Sequence, residues 1–242
     1  MSGKKTAMTG SAQRRRRGRG IARQIVVLNA DADSFALMIA NRLEPESYGF
    51  RSLDDFAAAV SHAGEARYPI HLKLDTGMHR LGFMEEEIGR LCEVLPTRPE
   101  VKVASVFSHL NCADMPEEDA YTRAQIARFA RMSGAVAASL PYPVLRHTAN
   151  SAAIERFPEA QYDMCRLGLG LYGFGWRHND ALPPVSPLRT RIVQIRRLAA
   201  GEAGGYGRAG RPPRPDRAAP VPRGAPHRPG PRLRAGRRPV AG

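Results

Sequence analysis

From Ile25 onward, short apolar or alternating runs take turns with longer segments of helical period. That alternation marks repeated βα units and a parallel sheet. Six runs read as strands: residues 25–29, 46–50, 70–75, 101–108, 144–148 and 163–167. Between them the pattern predicts helices beginning near Asp33, after Ser52, near Met84 and near Glu117. Ser52 opens a Ser-x-x-Asp run, close to a capping box. The last helix gathers Ile126, Phe129, Met132 and Val136 on one face. Each unit takes about 25 to 35 residues, the repeat of a (β/α)8 barrel. A doubly wound open sheet is the alternative.

Beyond Pro187 the pattern changes. Residues 188–198 are β-rich, with Ile192, Val193 and Ile195 as the apolar members, and read as entry into a different, strand-built domain. After Tyr206 the chain turns to Arg, Pro, Gly and Ala. Such a composition buries too little surface to offset the entropy of ordering, so disorder is expected there. The change is abrupt enough to read as a shift of reading frame in GC-rich DNA, with a genuine basic tail as the alternative.

Charge sharpens these boundaries. Residues 1–23 carry eight Lys/Arg and no acid, while 208–242 carry ten Arg, nine of the twenty prolines and one acid, Asp216. The formal charge of +14 therefore belongs to the ends, and the interior is mildly acidic. Four segments follow: a disordered basic tail over 1–23, a partial barrel over 24–185, the start of a C-terminal β domain over 186–207, and an Arg/Pro-rich tail over 208–242.

Composition narrows the function classes. With 43% hydrophobic and 25% charged residues the chain is an ordinary globular protein. No apolar run approaches the roughly 18 residues of a membrane span. The basic clusters lack interleaved aromatics that would stack on bases, so only unspecific electrostatic attraction to nucleic acid is expected. Cys92, Cys112 and Cys165 are odd in number and show no CxxC spacing, which points away from disulfides and metal. They fit small core or site-lining residues of a reduced cytosol. The arginines at 14–17 resemble a signal n-region, but the apolar stretch behind them is only 25–28.

Four segments carry candidate chemistry. In His71-Leu72-Lys73-Leu74-Asp75-Thr76-Gly77-Met78-His79-Arg80-Leu81-Gly82-Phe83, period two places His71, Lys73 and Asp75 on one strand face and Ile70, Leu72 and Leu74 on the other. In a barrel the polar set points inward near the carboxyl end, where active sites are built. An edge strand with solvated charges is the bland alternative. Gly77 and Gly82 permit a tight turn that carries Arg80 over the mouth, suited to gripping a carboxylate. Phe107-Ser108-His109-Leu110 ends an apolar strand on a histidine, read equally as a structural residue. His147-Thr148-Ala149-Asn150-Ser151-Ala152 offers hydroxyl and amide groups before a short helix, either a phosphate site or a plain N-cap by Asn150 or Ser151. In Arg166-Leu167-Gly168-Leu169-Gly170-Leu171-Tyr172-Gly173, glycines let backbone N–H groups approach an anion.

Together and in this order the four segments resemble alanine racemase, a barrel-type pyridoxal 5′-phosphate enzyme that interconverts L- and D-alanine for peptidoglycan precursors. The resemblance spans residues 25–207. His79 in Gly-Met-His-Arg and the Leu43-Glu44-Pro45-Glu46 run look most like the racemase half of a fused bacterial D-Ala-D-Ala-adding ligase and alanine racemase. The resemblance implies that Arg80 meets the substrate carboxylate, that Lys73 is carried as a carbamate orienting Arg80, and that Arg166 hydrogen-bonds the pyridine nitrogen. His109 would link that arginine to the tyrosine base. Asn150, Ser151 and the amides of Gly168 and Leu169 would hold the cofactor phosphate. It also implies a cytoplasmic homodimer, no metal and no membrane.

The chain departs from the family pattern at both ends. Family members open on a Lys-Ala-x-Ala-Tyr-Gly type motif whose lysine bonds the cofactor covalently and serves as one racemising base. The only lysines here are Lys4, Lys5, Lys73 and Lys102, none in such a motif. The opposing tyrosine belongs to a Gly-Tyr-Ala-Asp-Gly motif of the C-terminal β domain, and Gly205-Tyr206-Gly207-Arg208 resembles an earlier site instead. With six of eight strands found, the first and second are the expected absentees. The expectation is a racemase fragment with no catalytic base of its own; the alternatives are a non-catalytic pyridoxal-phosphate-binding remnant or another barrel-type pyridoxal-phosphate enzyme.

Overall fold

The computed structural model describes residues 23–176, 182–183, 194–203 and 211–218. Two compact units divide the chain, Met1–Val185 and Ser186–Gly242. The expectations for residues 1–22, 177–181, 184–193, 204–210 and 219–242 fall outside the described residues.

The first unit is built on five parallel strands: β1 (Val26–Val27), β2 (Glu44–Ser47), β3 (Tyr68–Lys73), β4 (Val101–Phe107) and β5 (Leu145–His147). Their order in the sheet is their order in the chain. A doubly wound sheet reverses direction at a switch point. Here each strand lies beside its predecessor, which decides for the singly wound (β/α) barrel arrangement and against the open-sheet alternative.

Helices fill the crossovers: α1 (Phe35–Ala40), α2 (Phe50–His62), α3 (Ile88–Val94), α4 (Asp119–Ala138) and α5 (Ser151–Arg156). Short 3-10 turns lead into α1, α3 and α4 near Asp33, Met84 and Glu117, where the pattern placed helix starts. α2 begins two residues before Ser52, with Gly49 at its N-cap. The Ser52 hydroxyl sits inside the first turn, donating to the Gly49 carbonyl and accepting from the Tyr48 N–H.

Three expected strands differ. β1 is cut to two residues because Asn29 turns into positive φ and donates its N–H to the Glu46 carboxylate. β2 starts at Glu44 rather than Glu46 and ends before Tyr48, with all four of its residues buried. The expected sixth strand, 163–167, forms no ladder. It is tied to the β5 region by single bonds, Asp163 N–H to Arg146 carbonyl (3.1 Å) and Arg166 N–H to Ala149 carbonyl (2.9 Å).

The apolar faces of the strands meet the helices in one core. Ile70, Leu72 and Leu74 are at most 1% exposed. They share a cluster with Leu53, Phe56 and Val60 of α2, Leu91 of α3, and Phe129, Met132 and Val136 of α4. A smaller cluster of Leu110, Ala149, Ala153, Phe157 and Ala160 seats α5. The alternate strand positions carry Glu44, Glu46, His71, Lys73, Ser105 and His147, all buried.

In the second unit Arg196–Leu198 pairs antiparallel with Asp216–Ala218. Regular pairing thus reaches into the Arg/Pro-rich region expected to be disordered. Two three-residue strands need only backbone partners, which a poor core does not prevent. No helix among the described residues is long and apolar enough to cross a membrane.

Candidate functional site

A cleft of about 490 Å³ opens at the carboxyl ends of the strands, lined among others by Leu28, Lys73, Arg80, Phe107, His109, Asn150, Ser151, Arg166, Gly168 and Leu169. Its volume lies in the usual small-molecule range of about 300–1,000 Å³. All eight residues to which the resemblance assigns a role line this cleft, whereas His71, Asp75 and His147 of the same candidate segments do not.

The loop after β3 is folded back by its own backbone. Phe83 N–H donates to Lys73 carbonyl and Asp75 N–H to Phe83 carbonyl, both 2.9 Å. The buried Asp75 carboxylate accepts from Gly77 and His79 N–H groups. Gly82 has φ +132°, and a Cβ there would meet the Asp75 backbone nitrogen at 2.6 Å. The loop therefore requires glycine at this position and delivers an exposed Arg80 to the cleft.

Arg166 comes from the extended segment after α5. Its guanidinium donates to His147 Nδ1 at 2.7 Å and to the carbonyls of His147, Ser108 and Thr148. Burial pulls its pKa down to about 10, still well above neutrality. The Phe107 ring stacks on His147, centroids 5.1 Å apart, and carries both Arg166 and Lys73 over its face. The sequence reading gave His147 no role; the contact joins residues 19 apart and only the fold reveals it.

Lys73 is buried against Glu46, with Nζ 3.0 Å from Oε1. The sequence reading missed this pair as well. A carbamate on Lys73, as the resemblance implies, would set a second negative charge beside that carboxylate. His109 is pushed down to about 4, first by burial and then by Arg166, Arg80 and Lys73. His147 is pushed down to about 3 by burial, Arg166 and His71. Both imidazoles are neutral at pH 7.

On the opposite wall, Ser151 Oγ accepts from the N–H groups of Gly168 (2.9 Å) and Gly170 (3.2 Å). Asn150 is the N-cap of α5: its carbonyl oxygen accepts from Ala153 N–H and its amide donates to the Leu110 carbonyl. Its side chain is thereby committed to holding Ser151 in place. Leu169 opens a 3-10 turn, Leu169–Tyr172, on the cleft rim. The three cysteines are free and half-buried.

Residues 11–175 match the family model "Alanine racemase, N-terminal domain". The chain belongs to that family. Alanine racemase of Sorangium cellulosum (strain So ce56) is 35% identical over 194 residues, 79% of this chain and 51% of that protein. That of Nitratidesulfovibrio vulgaris (strain DP4) is 34% identical over 185 residues, 74% and 48% respectively. Among solved structures, alanine racemase from D-cycloserine-producing Streptomyces lavendulae superposes with TM-score 0.69 at 26% identity, covering 84% of this chain and 55% of that one. The chain spans about half the length of the curated relatives it matches.

Proposed function

We propose that this chain is the barrel portion of an alanine racemase and carries the pyridoxal phosphate site without the bases that turn over substrate. The observation that supports this reading most is the meeting, in one cleft, of the Ser151–Gly168–Gly170 cluster with the Arg166 guanidinium. A hydroxyl and clustered amides suit a phosphate, and a guanidinium suits an acceptor nitrogen on a ring held between them. The amide of Leu169 beside Gly168 adds to the cradle, and Asn150 holds Ser151 at its edge.

When bound, pyridoxal phosphate supplies the electron-withdrawing ring that acidifies the Cα–H of an amino acid. Arg166 keeps its proton at neutral pH, so it donates to the ring nitrogen without protonating it and limits that withdrawal. Arg80, exposed at the rim, grips the carboxylate of L- or D-alanine. Lys73 contributes positive charge that Glu46 holds in place, and neutral His109 offers a donor and an acceptor beside Arg80. In intact relatives a second copy and a C-terminal β domain complete the site, and the 43–46 and 79–80 runs resemble those of racemases fused to a ligase.

Racemisation needs a base on each face of Cα, and loss of a general base costs factors of about 10² to 10⁴. Of the described lysines, Lys73 alone lines the cleft. It is buried with Nζ 3.0 Å from the Glu46 carboxylate, which ties the side chain to β2 and away from a covalent role. The purified chain is therefore expected to show no α-proton exchange of either alanine enantiomer in deuterium oxide above free cofactor. Borohydride treatment with pyridoxal phosphate, followed by peptide mass analysis, is expected to leave Lys73 and Lys102 unmodified. A stoichiometric pyridoxyl adduct on either lysine would contradict the proposal.

A further inference from the structure

A line of hydrogen bonds crosses the barrel interior from the cleft to β2. Arg166 Nη1 reaches His147 Nδ1 (2.7 Å), His147 Nε2 reaches Ser105 Oγ (2.9 Å), Ser105 Oγ reaches His71 Nδ1 (2.6 Å), and His71 Nε2 reaches Glu44 Oε2 (2.8 Å). Glu44, His71, Ser105 and His147 are each at most 6% exposed, so water does not substitute for a missing link. The line passes through β5, β4, β3 and β2 in turn, one residue from each strand.

Its two ends fix its direction. A guanidinium only donates and a carboxylate only accepts. Starting from Arg166, His147 accepts at Nδ1 and so carries its proton on Nε2. That proton goes to Ser105 Oγ, whose own proton goes to His71 Nδ1, and His71 then donates from Nε2 to Glu44. Every donor and acceptor on the line is matched when each imidazole carries a single proton, at Nε2; a second proton on His71 would make Ser105 accept from both sides and leave its hydroxyl proton without an acceptor on the line. If Glu44 were protonated and donating, His71 would donate from Nδ1 and Ser105 would receive from both sides. Its own proton would then have no acceptor on the line, which costs the desolvation of an unsatisfied buried donor.

We propose that Glu44 is a positioning residue for Arg166, acting through His71, Ser105 and His147 to hold the imidazole tautomer that receives the guanidinium. Only its consequence for ligand binding rests on the function proposed above, since the proton arrangement belongs to the folded chain itself. Glu44 opens β2, two residues before the strand start expected from sequence. The strand register makes it the terminal acceptor of a network serving the opposite side of the sheet.

The test is two-bond 15N–1H correlation spectroscopy of the full chain labelled at histidine and arginine, without cofactor. In the unsubstituted chain, His71 and His147 should both show a protonated Nε2 and an unprotonated Nδ1. Glu44→Met removes the acceptor at similar volume. His71 should then lose its single tautomer, and the Arg166 guanidinium protons should exchange with water about fivefold faster or more. Glu44→Gln, whose amide oxygen still accepts, should restore the original pattern. Ser105→Ala, which cuts the line at a small residue, should reproduce the Glu44→Met exchange rate and serves where the latter folds poorly. A His147 protonated at Nδ1 in the unsubstituted chain would overturn the proposal, as would unchanged Arg166 exchange in both interrupted variants. Failure of the chain to bind pyridoxal phosphate would overturn the proposed function alone, because no ligand enters this measurement.

Discussion

Gly82 and the two neutral histidines show how single residues set the site. A Cβ at Gly82 would collide with the backbone of Leu74 and Asp75, and its φ of +132° is open to glycine almost alone. Gly82→Ala is therefore expected to cost at least about 1–3 kcal/mol in urea unfolding. An unchanged midpoint would show that the loop does not need this conformation. His109 and His147 sit at about 4 and about 3, against an ordinary value of 6.5. On acidification the unfolded chain takes up protons first, so stability held above about pH 6.5 is lost as pH falls toward 4 and below. Urea midpoints measured from pH 7 to pH 4 should show this slope, and His109→Gln should flatten it; equal slopes would refute the shift. That Arg80, His109, Ser151 and Arg166 share one cleft was foreshadowed in sequence, because each lies in a local run that resembles a family motif. Glu46 and His147 were not, because their partners lie 27 and 19 residues away and only strand register joins them.

Among the elements, β3 and α4 were the easiest to read. Period two in β3 separates Leu72 from Lys73, and period 3.6 in α4 lines up residues that the fold buries. Phe129 is fully buried and meets the Tyr162 ring edge-on at 5.1 Å. Phe129→Ala is expected to cost about 3–5 kcal/mol by urea unfolding. Arg131→Ala, removing an exposed pair with Glu85, should stay within about 0.5 kcal/mol. Equal effects would mean the helix face is misassigned. β2 was misplaced by two residues for a physical reason. The expected strand left out Glu44 and Pro45, yet the Glu44 and Glu46 carboxylates are buried and meet His71 and Lys73. The segment 163–167 has strand-like composition but ties itself to the β5 region by isolated bonds, and residue pattern does not distinguish that from a ladder.

For the whole molecule, sequential strand order brings five stretches of chain, from the ends of β1, β3, β4 and β5 and from residues 166–169, around one cleft at the carboxyl ends of the sheet. That arrangement follows from the βα repeat, which was plain in the hydrophobic pattern before any motif was considered. The antiparallel pair in the second unit was not plain, since backbone pairing leaves no apolar signature in so polar a stretch. The central claim is that this chain recognises pyridoxal phosphate through residues of the barrel without bonding to it. Equilibrium dialysis of pyridoxal phosphate against the full chain, with Ser151→Ala and Arg166→Ala in parallel, tests it most directly. The account predicts saturable one-site binding that further dialysis reverses, weakened about tenfold or more in each variant, since hydrogen bonds to charged groups contribute about 1.5–3 kcal/mol. Absence of saturable binding, or equal affinity in both variants and the unsubstituted chain, would contradict it.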